Sequence, residues 1–142
     1  MPANTAPIFS GVGDIQWTTI QTAANTTYDG TAGTPAIAFS ASVSGGFVQR
    51  IRFRASGSAT ATVARVFINN GQSTGSAVNN VLFDEITLAA TVSSSTAATA
   101  VYELPLNIAL PPGYRILTTL GTVQSAGGGW YAAAIGGSYT AI

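Results

Sequence analysis

The chain has 142 residues, the length of one domain with a proper core, yet 7% of them are charged, against roughly 25% in an ordinary soluble domain. Five arginines (Arg50, Arg52, Arg54, Arg65 and Arg115) balance five carboxylates, and lysine, histidine and cysteine are absent. This composition removes the usual proton carriers and nucleophile activators, thiolate metal ligands, disulfides and the cationic excess that nucleic-acid binding requires, so the chain reads as a non-enzyme without a cofactor or a nucleic-acid partner.

Residues 1–13 (MPANTAPIFSGVG) hold two prolines, two glycines and no clear period. They read as an extended N-terminal arm ahead of a single domain over residues 14–142. The arm has neither the basic start nor the apolar core of a secretory leader, which points to synthesis in a cytoplasm and release by lysis. Ile8 and Phe9 form an apolar pair in this arm. They either tuck back onto the chain's own sheet or dock on a neighbouring subunit.

Residues 14–22, rich in β-branched and aromatic side chains around Trp17 and Ile20, predict a first strand, and a polar loop follows over 25–34. Residues 35–44 alternate weakly, with Ile37, Phe39 and Val43 spaced for one face, and Gly45-Gly46 marks a turn. The clearest strand is 47–54. Period two places Phe47, Ile51 and Phe53 on one face and Arg50, Arg52 and Arg54 on the other. Residues 61–68 form the next strand, closed by the turn signal Asn69-Asn70-Gly71. Strands are then expected over 81–92 and over 101–110, where Tyr102, Leu104, Leu106, Ile108 and Leu110 share a face. Pro111-Pro112-Gly113 precedes a strand at 114–122. Gly127-Gly128-Gly129 opens another at 130–135, and Gly136-Gly137 leads to a final segment at 139–142.

About eight short strands separated by Gly, Ser, Asn and Pro turns predict an all-β fold: an antiparallel β-sandwich, jelly-roll or otherwise. No segment sustains helical periodicity, with at most one turn of helix at 97–100. No run reaches the ~18 apolar residues of a membrane-spanning helix, and no membrane partner is expected.

The residues offer little for catalysis. Ser93 to Ser95 lack a base and read as a loop. Asp84 and Glu85 are neighbours whose side chains leave opposite faces of a strand, so they do not form a working acid pair. Asp14, Asp29 and Glu103 meet only if the fold brings them together. Asp29-Gly30-Thr31 and the Asn79-Asn80 to Asp84 stretch offer oxygen ligands, but too few acids for a calcium site. The arginine triplet Arg50, Arg52 and Arg54 is the one charge constellation, with heads ~7 Å apart along one strand face. It either pairs across the sheet with Glu103, Asp84 or Glu85, or forms a contact stripe for an acidic neighbour. Trp130, Tyr131 and Tyr139, beside Gly-rich loops, are candidates for a sugar-binding platform.

The order of features from Phe47 onward resembles small virion proteins of tailed bacteriophages. The stretches that carry this are FVQRIRFRASG, TVARVFINNG, VLFDEITLAA, ALPPGYRILTTLG and GWYAAAIGGSY. They are strand and turn patterns rather than catalytic signatures, and they cover about two-thirds of the chain. The resemblance implies a β-sandwich that is part of the particle, and the head decoration (cement) protein fits it best. Such a protein binds the outside of the capsid and stabilises it. The implied partners are the major capsid protein and further copies of the chain, as a homotrimer, and the implied location is the capsid surface of the virion. Ile8, Phe9, Arg50, Arg52 and Arg54 are then the expected interface residues. The alternatives are a tail or fibre-tip receptor-binding module and a carbohydrate-binding β-sandwich.

Overall fold

A computed structural model describes residues 11–32, 35–125 and 127–140. Eight strands make up the fold: β1 (Val12–Trp17), β2 (Ala36–Ser40), β3 (Gly46–Ala55), β4 (Thr62–Asn69), β5 (Asn80–Leu88), β6 (Val101–Leu110), β7 (Arg115–Leu120) and β8 (Trp130–Ser138). They form two four-stranded antiparallel sheets, a first in the order β1-β8-β3-β6 and a second in the order β2-β7-β4-β5. The all-β sandwich is therefore as expected. The pairing is nested: β1 with β8, β2 with β7, β3 with β6 and β4 with β5. The chain behaves as one long hairpin, folded at the β4–β5 connection and wrapped so that its successive rungs fall in alternate sheets.

The sheets enclose one core. Val48, Ile51, Phe53, Leu104, Leu106, Leu110 and Trp130 from the first sheet meet Phe39, Ala64, Val66, Leu88, Ile116 and Leu120 from the second. Trp130 packs edge-on against Tyr102, with ring centres 5.9 Å apart. In β6 the side chains at 104, 106 and 110 are buried while their neighbours are exposed, as the alternation requires.

Several expected details differ. β1 ends at Trp17 and β5 at Leu88; beyond them the expected strands continue as interrupted pairing, with isolated antiparallel bridges Gln21–Trp130 and Ala59–Thr91. β8 runs through Gly136-Gly137 to Ser138 rather than stopping at a turn. The short helical turn lies at Ala77–Asn79, not at 97–100. In β3 the inward face is Val48, Ile51 and Phe53, and Phe47 is only half-buried. The ladder shifts register between Val48 and Arg50, so Gln49 and Arg50 both lie on the outer side and the period of two is broken. Arg50 Nη1 accordingly donates to the side chain of its neighbour Gln49 at 2.6 Å. Gly136 fits beside this irregularity because a Cβ there would fall 1.9 Å from the Phe47 carbonyl oxygen. A residue with a side chain would force the two strands apart.

One edge of the sandwich is latched. Gln16 of β1 accepts from the Ser40 amide at 2.9 Å and donates to the Ser40 carbonyl at 3.0 Å. Ser40 ends β2, so a single side chain ties the edge of the first sheet to the edge of the second. It also occupies main-chain groups that would otherwise stand open at an edge strand.

Candidate partner-binding face

The two sheets differ in what lies on their outer faces. On the second sheet, Arg65, Phe67 and Asn69 of β4 point away from the core, opposite Thr119, Leu117 and Arg115 of β7. Phe67 and Leu117 are nevertheless fully buried. The β1–β2 connection supplies this cover. A Cβ on Gly30 would sit 3.7 Å from the Phe67 ring. The Arg65 guanidinium lies 4.4 Å from the centre of the Tyr28 ring, Arg65 Nη1 donates to the Asn25 carbonyl at 3.3 Å, and Arg65 Nε donates to Glu85 at 2.8 Å. Asn80 Nδ2 donates to the Asp29 carbonyl at 2.9 Å. Arg65 therefore clamps the connection to the sheet, with its charge met by a carboxylate, a carbonyl and an aromatic face.

Asp29 shapes the same connection. Its Oδ1 accepts from the Thr31 hydroxyl at 2.7 Å and from the Thr31 amide at 3.0 Å. These hydrogen bonds, the hydroxyl's first, hold its carboxyl below the ordinary aspartate range. Of the oxygen-ligand candidates, Asp29 and Thr31 are thus engaged in turn-making, while Asn80 and Asp84 lie in β5. Among the described residues no group of three or more acidic side chains gathers to hold a metal.

The outer face of the first sheet has no such cover among the described residues. Register fixes its side chains in rows. Ile15, Ile135, Arg50 and Pro105 form one row, Trp17, Ala133, Arg52 and Glu103 the next, and Tyr131, Arg54 and Val101 a third. Trp17 is 68% exposed, Ile15 58% and Tyr131 39%. Trp17, Arg52, Arg54, Tyr131 and Ala133 line a trough of about 280 Å³. The face holds three arginines against one carboxylate, Glu103, and so carries an excess of positive charge.

The arginine triplet does share this one face, as its period predicts. Arg52 donates through Nε and Nη2 to Glu103 Oε1, at 2.8 and 2.5 Å, and Arg50 Nε stands 3.6 Å from the same oxygen. Cross-strand pairing with Glu103 is therefore present. Asp84 and Glu85 belong to the other sheet, where Glu85 serves Arg65 instead. Arg54 donates to the Thr99 hydroxyl at 3.1 Å. Of the sugar-platform candidates, Trp130 is wholly buried in the core and Tyr139 half-buried, leaving Tyr131 at the surface. Ile8 and Phe9 lie outside the described residues.

Trp17 marks a strand in the sequence, but neither it nor Ile15 is among the expected interface residues. Alternation alone gives β1 two faces without saying which is inward. A signal was present in β8, whose run WYAAAI is apolar on both faces. Such strands are ordinarily covered on both sides, and here one side is open among the described residues. No protein-family model matches this chain, and no curated protein or solved structure matches it significantly.

Proposed function

We propose that the protein is a structural component of a bacteriophage particle, a head decoration (cement) protein that binds the outside of the capsid and stabilises it. Its partners on this reading are the major capsid protein and further copies of itself, assembled as a trimer on the shell. The observation that carries the proposal is the contrast between the two outer faces. The second sheet buries Phe67 under the β1–β2 connection, whereas among the described residues nothing covers Ile15, Trp17 and Tyr131, which stand among three arginines on the first.

Aromatic residues and arginine are the types enriched where proteins meet. A chain this poor in charge also loses little by desolvating its surface against a neighbour. The nested strand order, read as a jelly roll, belongs to an architecture used by viral capsid and lectin domains. The resemblance of the five stretches between Phe47 and Tyr139 to tailed-phage virion proteins is what points to a phage particle. A tail or fibre-tip receptor-binding module is the second reading, and the exposed pair Trp17 and Tyr131 beside an open trough is what favours it.

The test is electron microscopy of particles lacking decoration, incubated with the purified protein. Density at the three-fold junctions between capsid hexamers, lost with Ile15→Asp or Trp17→Asp, is the expected result. Density at the tail tip would establish the second reading. Undiminished decoration by a chain carrying both Ile15→Asp and Trp17→Asp would remove the docking face.

A further inference from the structure

The trough in the outer face of the first sheet has a floor and two unlike walls. Ala133 of β8 is the floor. Trp17 rises on the β1 side, Arg52 and Arg54 rise on the β3 side, and Tyr131 closes one end. The two arginines are not equivalent. Arg52 is held by Glu103 through two hydrogen bonds to one oxygen. Arg54 reaches the Thr99 hydroxyl through Nη2, and no carboxylate stands within ion-pair distance of it among the described residues. Its guanidinium fork faces a trough whose other walls are aromatic and whose floor is a methyl group.

We infer that this trough receives an acidic segment of a neighbouring protein, with a carboxylate on Arg54 and an apolar side chain over Ala133 between Trp17 and Tyr131. The inference rests on the docking reading above and names the chemistry of the partner. Three considerations favour this occupant. A planar guanidinium binds a carboxylate bidentately, the stronger of its pairing modes. An apolar side chain seated between aromatic rings is the kind of buried contact that dominates interface energetics. The third is charge balance.

A second copy of the chain presenting the same face would set three arginines and one glutamate against an identical set, and like charges opposed across an interface disfavour it. A sugar fits less well. Its hydroxyl groups need acceptors as well as donors, and apart from the Tyr131 hydroxyl the lining side chains offer guanidinium and indole donors without a carboxylate or an amide.

The chain carries its own reporter, because Trp17 is exposed and its companion Trp130 is buried. The full chain, labelled with nitrogen-15, is titrated with the capped peptide acetyl-Glu-Leu-Glu-amide, with acetyl-Gln-Leu-Gln-amide and with sodium glucuronate. The acidic peptide is expected to move the Trp17 indole and Ala133 amide signals while the Trp130 indole stays fixed. Its affinity is expected to exceed that of the glutamine peptide about tenfold, to fall about tenfold in Arg54→Gln, and to recover in part in Arg54→Lys. Raising the salt from about 0.05 to about 0.5 M should weaken it severalfold.

Equal titration by the two peptides, or indifference to Arg54→Gln, overturns the proposal. Tighter binding of glucuronate than of either peptide assigns the trough to acidic sugars and also overturns it. The docking reading is judged separately. If the peptides fail while Ile15→Asp still abolishes attachment to particles, the acidic occupant is wrong and the face stands. If Ile15→Asp is silent, the face itself is wrong.

Discussion

Phe53 and Arg52 are neighbours in β3 whose side chains leave opposite sides of the strand, one into the core and one onto the surface beside Glu103. Phe53→Ala should destabilise the fold by about 3–5 kcal/mol through lost burial and the cavity left behind. Arg52→Ala removes a half-exposed ion pair and should cost under ~1 kcal/mol. Denaturant unfolding of the two variants checks the pair, and equal small effects would mean the faces are assigned wrongly. Phe47→Ala belongs with the milder class, because Val48 takes the inward position. Asp29 gives a pH-dependent counterpart. Its folded pKa lies below its ordinary value because the Thr31 hydroxyl and amide hold the charged form. Its contribution is therefore present above the ordinary aspartate pKa and is lost as the pH falls through the depressed one. Thr31→Val should raise that pKa, as read by carbon-13 titration of the Asp29 carboxyl; an unmoved titration would show that the hydroxyl does not set it. The alternation of β3 named its arginine face correctly from the sequence. It could not reveal that Val48 rather than Phe47 faces inward, because a one-residue bulge leaves no composition signal when both candidates are apolar.

At the level of strands, the most specific device is the latch of Gln16 on Ser40. Both bonds go to main-chain groups of β2, so truncation leaves an amide and a carbonyl to find other partners. Gln16→Ala should cost about 1–2 kcal/mol and speed hydrogen exchange of the Ser40 amide, with the β3 and β4 amides unaffected. Unchanged exchange at Ser40 would show that the edge is closed by something else. No pattern in the sequence announces such a latch, since a glutamine in a strand is unremarkable until the two edges are known to meet. Strand positions were legible because glycine, proline and asparagine punctuate the chain. Strand ends were less so. Residues 18–22 have the β-branched content of a strand, and after Trp17 they pair with β8 only intermittently, through Thr18 and Gln21, before the chain becomes the connection that covers the second sheet. Gly136-Gly137 shows the opposite error. Glycines that read as a turn are in fact strand residues, with Gly136 placed where the Phe47 carbonyl comes too close for a side chain.

At the scale of the whole molecule, the sandwich could be read from strand count and composition, but the candidate face could not be assembled from the sequence. Its rows draw on β1, β8, β3 and β6, which lie far apart along the chain and are adjacent only through the nested pairing. The arginine triplet, three alternate residues of one strand, was the fragment of the face short enough to be visible. Trp17 became meaningful once register set it opposite Ala133. The same nesting has a kinetic consequence. The β4–β5 pair joins neighbours in sequence, whereas β1 and β8 bring Val12 opposite Ser138. Loop-closure entropy makes such distant pairings slow to form unless inner rungs have already shortened the loop. The trough needs Trp17 from one end of the chain and Tyr131 and Ala133 from the other, so its walls come together when the outermost rung closes. A nascent or truncated chain would hold the arginine strand without the aromatic wall, and the candidate face would be completed by the final step of folding.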